Sequence, residues 1–300
     1  MAKKRDIVIG VIIAVGFLMA IAFFGLVFIG IMSEGGDLEL SSLGNNIGVV
    51  EMFGVLDESS GRPVIKQLDK WAESGSIKAI VVHVDSPGGG VAISQEIFDA
   101  MKRAREEKPI VVAMASVAAS GGYYIACAAD RVIANPGTLT GSIGVIFQFH
   151  TFGELMDKVG IATETVKSGE LKDVGSYSRS MTKKEALMLR SVVMDTYEQF
   201  VEVVAEGRGK DVDEIYPLAD GSIFTGLQAY NLGLVDTLGG LNEAVLLAAD
   251  LAEIDGEPRI VRPYRRKKGG FFDLISSLLE NLNRSVETPL AGPRLMYLYQ

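Results

Sequence analysis

The chain has 300 residues, which allows one catalytic domain of ordinary size with accessory segments. Hydrophobic residues make up 48% and glycines number 34, so the composition permits a sizeable buried core. The formal net charge of −9 argues against a nucleic-acid partner and against a broad electrostatic grip on an anionic membrane, because both need a basic face.

The N-terminal segment predicts a membrane anchor. Ile7–Met32 is uncharged and almost wholly apolar, and it exceeds the ~20 helical residues that cross a bilayer. Basic residues at 3–5 precede this run and acidic residues follow it, so the positive-inside rule places residues 1–6 in the cytoplasm and the later residues outside. A cleaved signal peptide is the alternative, but its apolar region spans only ~7–15 residues and ends in a small-x-small site, which is missing here.

Residues 33–46 read as a polar linker, and a folded domain is predicted over residues 47–260. Buried strands are indicated at five places: Ile47–Val50, Lys78–Val84, Pro109–Ala115, Arg131–Ala134 and Gly144–Phe149. Helical spacing is found at residues 92–106, 121–129, 182–206, 225–232 and 241–254. This alternation predicts an α/β fold with mostly parallel strands. The longest helix opens with Thr182 and Glu185 in the pattern of a capping box.

The C-terminal residues 261–300 differ in composition from the domain. A basic run is followed by Phe271–Leu282, which has the pattern of a short amphipathic helix. The chain then ends in the apolar segment Leu295–Tyr299. Chain termini are usually polar and loosely held, so we expect this apolar tail to dock on a protein surface.

Three glycine-rich turns each follow a buried strand, at Asp85–Gly90, Ala118–Gly122 and Gly141–Val145. At the end of a strand, the free backbone N–H groups of such a turn can bind a phosphate or a developing oxyanion. The first turn lacks the Gly-Lys-Ser/Thr ending of a P-loop, which disfavours nucleotide binding. A plain tight turn remains an alternative for the first and third turns.

In the second turn, Ser120 lies at or near the N-terminus of a helix. It can be an N-cap, which is the commonest role of serine there, or a nucleophile whose developing alkoxide the helix N-terminus favours. Residues 118–122 do not match the Gly-x-Ser-x-Gly elbow. A serine nucleophile needs a base, and a desolvated lysine can supply one. Taken alone, Lys172 would be interpreted as a solvated surface charge, like most lysines of the chain.

The remaining reactive side chains are interpreted as structural. The chain has two histidines: His83 falls inside a buried strand, as a hydrogen-bonded core residue, and His150 ends a predicted strand. The single cysteine, Cys127, is predicted to be a packed small hydrophobe. One cysteine cannot form an internal disulfide or build a zinc site alone.

Taken together, Asp85–Gly90, Ser120–Tyr124, Gly141–Val145 and the run from Ser168 to Asp173 resemble the short-form signal peptide peptidase A family of Ser-Lys peptidases. The resemblance covers roughly residues 47–260 and the anchor. It implies the Clp protease/crotonase-like fold of repeated β-β-α units, with Ser120 as nucleophile and Lys172 as general base. It also implies that Ser142 orients the lysine, that amides of Gly88, Gly89 and Gly121 form the oxyanion hole, and that no cofactor or metal is used.

The resemblance further implies a membrane-anchored serine endopeptidase with its catalytic domain outside the cytoplasm. Its substrates would be cleaved signal peptides and other apolar peptides, and its state would be homo-oligomeric. Because a lysine base has to be neutral and burial lowers the pKa of a lysine, we also expect activity to favour neutral to alkaline pH. A related protease that cleaves stomatin-like partners is the nearest alternative, and a crotonase-type acyl-CoA enzyme or a non-catalytic scaffold are more distant ones. We expect the apolar tail to lie in the substrate groove of its own or a neighbouring copy, as an added strand.

Overall fold

The computed structural model describes residues 16–21, 45–263 and 296–298, the last three by their backbone alone. The chain divides into two compact units, residues 1–42 and 43–300. In the first unit, residues 16–21 form an exposed helix, α1. Most of the predicted span Ile7–Met32 and the predicted helix Phe271–Leu282 lie outside the described residues. Among the residues that are described, no helix has both the length and the apolar character needed to cross a bilayer.

The second unit is built on an eight-stranded sheet. Its strands are β1 Asn46–Phe53, β2 Ile77–Ser86, β4 Ile110–Ala119, β5 Arg131–Ala134, β6 Leu139–Gly141, β7 Ile223–Thr225, β8 Thr237–Leu238 and β9 Arg259–Val261. The strand order is β7-β6-β4-β2-β1-β9, and β5 pairs with β4 and in turn with β8. Only β6 and β7 pair antiparallel, and the other described pairs of this sheet are parallel. A separate two-stranded sheet joins β3 Gly88–Gly90 to β10 Met296–Leu298.

Helices cover both faces of the large sheet. They are α2 Glu58–Glu73, α3 Val91–Glu107, α4 Gly121–Ala126, α5 Gly153–Lys158, α6 Lys183–Arg208, α7 Val212–Ile215, α8 Gly226–Asn231 and α9 Leu241–Leu251, with a 3₁₀ turn at Tyr216–Leu218. The larger core lies between the sheet and α2, α3, α4 and α6. On the opposite face, α9 buries Ala244, Val245 and Ala248 against β1, β2, β4 and β5. The three residues are spaced as the apolar stripe of an amphipathic helix is.

An aromatic stack fixes α4 inside the larger core. The ring of Tyr124 lies 5.2 Å from Phe98 on α3 and 5.2 Å from Phe200 on α6, measured between ring centroids. Phe200 is fully buried, and such tilted contacts add to the energy of burial. The short helix α4 is therefore held between two long helices, which gives it a fixed position although it has few turns of its own.

The predicted α/β fold with mostly parallel strands is confirmed, and so is the capping box that begins α6. The Glu185 N–H donates to Thr182 Oγ1 at 3.2 Å, and the Thr182 N–H donates to the Glu185 carboxylate at 2.8 Å. The predicted strand at Gly144–Phe149 is wrong, because that stretch holds only an isolated bridge residue. The strand ends earlier, at Gly141, where positive φ angles at Gly141 and Ser142 turn the chain away from the sheet.

Candidate active site

Ser120 connects the end of β4 to the start of α4 in a strained backbone conformation. Its φ and ψ angles are 53° and −116°, a region that costs a non-glycine residue roughly 1–3 kcal/mol. Two hydrogen bonds hold it there. The Ser120 N–H donates to the Gly141 carbonyl at 2.8 Å, and its carbonyl accepts the Tyr124 N–H at 2.8 Å. Strain that the fold maintains in this way is typical of functional turns.

The Ser120 side chain is buried and finds no hydrogen-bond partner in the described part of the chain. The residue is 1% exposed, and its Oγ makes no hydrogen bond to any residue that the structure describes. The alternative interpretation of Ser120 as an N-cap is wrong, because its side chain does not bond the first turn of α4. A buried hydroxyl without a partner carries a desolvation cost that has to be explained. A nucleophile that waits for a base and a substrate explains it.

The glycine strand β3 points one of its amides away from the neighbouring loop. The Gly88 N–H donates to Ser86 Oγ at 3.1 Å. Leu56 lies alongside, donating its N–H to the Gly88 carbonyl at 2.8 Å and accepting the Gly90 N–H at 2.9 Å. Because successive residues of a strand point their backbone groups to opposite sides, the N–H of Gly89 points away from Leu56. A Cβ at Gly89 would lie 2.1 Å from the Leu56 oxygen, so only glycine fits.

Gly121 brings the nucleophile turn into contact with the glycine strand. A Cβ built on Gly121 would lie 2.8 Å from Ser94 Oγ and 3.3 Å from both the Gly88 Cα and the Gly89 nitrogen. A side chain at position 121 would therefore push the two turns apart. As the first residue of α4, Gly121 has an N–H without an intrahelical acceptor. Amides from two turns thus lie close to Ser120, which is the arrangement that stabilises a tetrahedral oxyanion.

The C-terminal tail pairs with this glycine strand. The backbone of Met296–Leu298 forms an antiparallel ladder with Gly88–Gly90, in which position 297 lies opposite Gly89. β10 also lies beside α3 and α4. The tail therefore occupies the side of β3 that faces away from Leu56, which is the side to which the Gly89 N–H points. The predicted docking of the tail as an added strand is present.

Ser142 lies one residue beyond the carbonyl that binds Ser120. It has a φ of 51°, and its N–H donates to the Ser222 carbonyl at 2.7 Å. Only three non-glycine residues in the described ranges have positive φ, and Ser120 and Ser142 are two of them. Ser142 opens onto a cavity of ≈ 640 Å³ between the β6–α5 loop and α6, which is lined mainly by apolar residues, among them Val145, Ile146, Val193, Met194 and Tyr197.

Lys172 is carried on a different part of the molecule. It lies in the segment between α5 and α6, where its N–H donates to the Gly169 carbonyl at 3.1 Å, and its side chain is exposed. Since Ser120 Oγ has no partner among the described residues, the Lys172 amine does not bind it in this chain. The structure brings together Ser120, Gly121, Gly89 and Ser142, and it does not bring Lys172 to them.

A cluster of ion pairs next to Lys172 escaped the sequence analysis. The Asp173 carboxylate pairs with Arg179 at 2.9 Å and with Lys167 at 2.6 Å, and the hydrogen bonds from Arg179, and then from Lys167, hold its pKa well below the usual range. Arg179 also binds Glu185. Hydrogen bonds from Arg179, and then from the Thr182 backbone, lower the pKa of Glu185 to about 2. Glu185 was recognised only as a helix cap, since nothing in the sequence pairs it with Arg179.

The other reactive side chains stay outside this region. Cys127 is buried as predicted, and burial raises the pKa of its thiol to about 11. His83 lies on β2, but the prediction of a hydrogen-bonded core residue is wrong. It is half-buried and packs edge-on against Phe53 at 5.1 Å, and partial burial lowers its pKa. His150 is exposed and ends no strand. In the described parts of the chain, no three His, Cys, Asp or Glu residues cluster as metal ligands would.

A strained serine at the end of a parallel strand, beside backbone amides of two glycines, is the arrangement that a serine hydrolase needs. Comparison with known proteins narrows this class. The sequence profile of peptidase family S49 matches residues 102–255, about half of the chain, and that of Clp protease matches residues 43–139. The chain therefore belongs to peptidase family S49, the family of signal peptide peptidase A, and it is a serine peptidase.

Individual relatives agree with this assignment. A protein named as a protease from Synechocystis sp. is 40% identical over 215 residues, covering 72% of this chain and 77% of that protein. A protein named signal peptide peptidase SppA from Enterococcus faecium is 40% identical over 182 residues, which span 60% of this chain and 53% of the relative. Protease 4 of Haemophilus influenzae is 33% identical over 222 residues, 71% of this chain and 36% of its own length.

Among solved structures, a ClpP1 variant from Listeria monocytogenes aligns over 66% of this chain and 94% of its own, with a TM-score of 0.46 and 19% identity.

Proposed function

We propose that the chain is a membrane-anchored endopeptidase that cleaves apolar peptides, such as remnant signal peptides, by means of a Ser120–Lys172 dyad. The observation that carries the proposal is the buried, strained and unpartnered Ser120 hydroxyl beside the amides of Gly89 and Gly121. No cofactor enters the reaction. The dyad itself is inferred from the sequence pattern, and the geometry around Ser120 supports the nucleophile.

The chemistry follows from these roles. Ser120 Oγ attacks the scissile carbonyl carbon while the neutral Lys172 amine takes the hydroxyl proton. The N–H groups of Gly89 and Gly121 stabilise the resulting oxyanion, and Gly88 does not, because its own N–H is bound to Ser86. Collapse of the intermediate breaks the C–N bond as the lysine returns the proton to the leaving amine. Water then hydrolyses the acyl-enzyme by the same steps, and Ser142 orients the amine throughout.

The substrate would bind as an extra strand on β3, because the tail does so. Antiparallel pairing with Gly88–Gly90 uses main-chain hydrogen bonds. Because these bonds do not involve side chains, peptides of many sequences can form them. Side chains supply the preference for apolar peptides: the ≈ 640 Å³ cavity beside Ser142 is lined mainly by aliphatic and aromatic side chains. The name of the Enterococcus faecium relative, signal peptide peptidase, is consistent with this class of substrate.

A second copy of the chain supplies the lysine in this proposal. Lys172 is exposed here, whereas a general base has to lie within hydrogen-bond reach of the hydroxyl that it deprotonates. The segment before it also exposes apolar side chains to more than half of their area: Phe152 51%, Leu155 58%, Val159 61% and Ile161 54%. Such a surface favours association. A homo-oligomer in which this segment packs on a neighbouring copy would cover the apolar residues and bury Lys172 beside the neighbour's Ser120.

The location of the enzyme is proposed from the sequence alone. The apolar run Ile7–Met32 and its flanking charges favour a single span with the N-terminus in the cytoplasm. The catalytic domain would then lie on the outer side of the cell membrane, where it could reach apolar peptides that remain there after export.

Reaction with a serine-directed phosphonate tests the function. The full chain in detergent is incubated with a peptidyl phosphonate, and the adduct is located by mass spectrometry. We expect one adduct, on Ser120, that is lost in Ser120→Ala and retained in Ser116→Ala, a matched change at an exposed serine of the same strand. An adduct that persists in Ser120→Ala would refute the nucleophile.

Hydrolysis of a peptide library tests the substrate class. Apolar signal-peptide sequences are compared with polar peptides of the same length, and products are identified by mass spectrometry. We expect cleavage within the apolar peptides. Equal or faster cleavage of the polar set would contradict the proposed preference.

A further inference from the structure

The position of Lys172 depends on a backbone turn rather than on contacts of its own side chain. The turn is closed internally by Lys167, whose amine donates to the Glu170 carbonyl at 3.0 Å and to Asp173 at 2.6 Å. The Lys172 N–H donates to the Gly169 carbonyl at 3.1 Å. These contacts give the turn its shape, but they lie within the turn and cannot fix its place relative to the rest of the protein.

Arg179 connects this turn to the helix α6. Its Nε donates to Asp173 Oδ2 at 3.1 Å, and its terminal nitrogens bind both oxygens of Glu185, one of them at 2.9 Å. A further donation goes to the Ser180 carbonyl at 3.1 Å. The planar guanidinium can bind two carboxylates in a defined relative orientation, which the ammonium of a lysine cannot do.

The far end of this connection is anchored in the protein core. The Glu185 side chain is 1% exposed and caps the first turn of α6. The same helix buries Phe200, Val201 and Val204 in the larger core. Asp173 is 15% exposed. Two nearly buried carboxylates therefore face one guanidinium, and without it they would repel each other.

We propose that Arg179 is a positioning residue for catalysis: through Asp173 it holds Lys172 at a fixed place relative to α6, so that the lysine meets the serine in reacting geometry. The inference rests on the proposed role of Lys172 as the base. Within the described chain, a continuous path of contacts runs from the core through α6, Glu185, Arg179 and Asp173 to the lysine. A misplacement of about 1 Å in a catalytic group can cost on the order of 10²-fold in rate.

The test compares Arg179→Ala with Arg62→Ala in the full chain. Arg62 is a matched control because it also binds two carboxylates, Glu58 on α2 and Glu96 on α3, and it makes no hydrogen bond or ion pair with the turn that carries Lys172. For Arg179→Ala we expect kcat to fall on the order of 10²-fold with KM unchanged, since substrate binding on β3 does not involve Arg179. Arg62→Ala should keep kcat and KM close to those of the unmodified chain.

Chemical rescue separates positioning from general stability. Added guanidinium at millimolar, non-denaturing concentration should raise the kcat of Arg179→Ala by about tenfold, because it can occupy the site between the two carboxylates. It should not raise the activity of Lys172→Ala, nor that of Arg62→Ala. A kcat of Arg179→Ala that falls and does not respond to guanidinium would overturn the positioning role.

A second variant keeps the proposal testable if Arg179→Ala does not fold. Glu185→Gln retains the helix cap, since glutamine serves at this capping position, but it removes the charge that holds Arg179. Its kcat should fall about tenfold with KM unchanged, the expected loss being smaller because Asp173 still binds Arg179. A kcat within twofold of the unmodified chain, while Lys172→Ala is inactive, would overturn the inference and leave the dyad intact. If Lys172→Ala itself stays active, the proposed function fails instead.

Discussion

The two halves of the proposed dyad lie in contrasting regions of the molecule. Ser120 is 1% exposed, its backbone is hydrogen-bonded on both sides, and the helix that follows it is held by an aromatic stack. Lys172 is exposed, and it belongs to a segment whose apolar side chains face solvent. The proposed nucleophile is thus part of the core, whereas the proposed base is attached to the core through ion pairs.

This difference shows how a single chain can carry both catalytic groups without assembling them. The nucleophile and the oxyanion amides are pre-organised by packing and backbone hydrogen bonds, which persist in an isolated chain. The lysine side chain is exposed here, whereas a general base has to lie within hydrogen-bond reach of the hydroxyl that it deprotonates. Association of copies would desolvate the lysine and complete the site in one step. Four predictions probe this contrast, in order of decreasing expected effect.

The largest effect is expected at the dyad itself. Ser120→Ala and Lys172→Ala should each lower kcat by roughly 10⁴-fold or more, and the double variant should be no worse, because residues that act as one unit fail together. Circular dichroism should show that all three variants remain folded. Near-normal kcat in either single variant, measured with an apolar peptide, would break the assignment.

Core and surface truncations should affect different properties. Phe200→Ala should lower the free energy of unfolding by about 3–5 kcal/mol, because the ring is fully buried beside Tyr124. Leu155→Ala should leave that free energy nearly unchanged, since the side chain is 58% exposed, but it should weaken association and with it activity. Denaturant titration and light scattering measure the two effects. A Leu155→Ala variant with normal association and activity would contradict the proposed interface.

Removal of the C-terminal tail should change substrate binding rather than chemistry. Deletion of residues 290–300 should lower KM for short apolar peptides several-fold and leave kcat unchanged, because the tail pairs with the strand that the substrate needs. A synthetic peptide of the tail sequence, added to the shortened enzyme, should inhibit competitively. An unchanged KM, with no inhibition by the peptide, would show that the tail does not compete for β3.

The smallest effect concerns stability in acid. The pKa of Glu185 is lowered to about 2, whereas an unfolded glutamate titrates near ~4.3. Its pairing therefore stabilises the fold fully above pH ~4.3, and this contribution is lost as the pH falls toward 2. The melting temperature should fall over this window in the unmodified chain and fall less in Glu185→Gln. Equal acid sensitivity of the two proteins would show that the carboxylate is not held by Arg179.

The sequence predicts those parts of the fold and site that depend on local patterns. Hydrophobic runs identified β2 and β4, and the Thr182–Glu185 pattern identified the start of α6. The glycine turns and Ser120 were found because their residue types and order are distinctive. The prediction of a strand at Gly144–Phe149 is wrong because its apolar residues lie in a loop. Helix α2 is not predicted because Gly61 and Pro63 interrupt its helical pattern.

Other features depend on contacts between distant residues. Leu56 binds the glycine strand through backbone hydrogen bonds, so the identity of its side chain does not indicate this contact in the sequence. The pairing of Arg179 with Asp173 and Glu185 follows from the course of the loop before α6. The hydrogen bond from the Gly88 N–H to Ser86, which is the reason for proposing Gly89 rather than Gly88 as an oxyanion donor, also depends on the folded backbone.

Mixing two inactive variants tests the central claim most directly. The full-length Ser120→Ala and Lys172→Ala chains are co-expressed with different tags, and complexes that carry both tags are purified and assayed with an apolar peptide. If a second copy supplies the lysine, sites that combine Ser120 of one chain with Lys172 of the other should restore about a quarter to a half of the normal activity: about half in a dimer that carries both tags, and about a quarter in a large, randomly assembled ring. Mixed complexes that stay as inactive as each variant alone would contradict assembly of the dyad between copies.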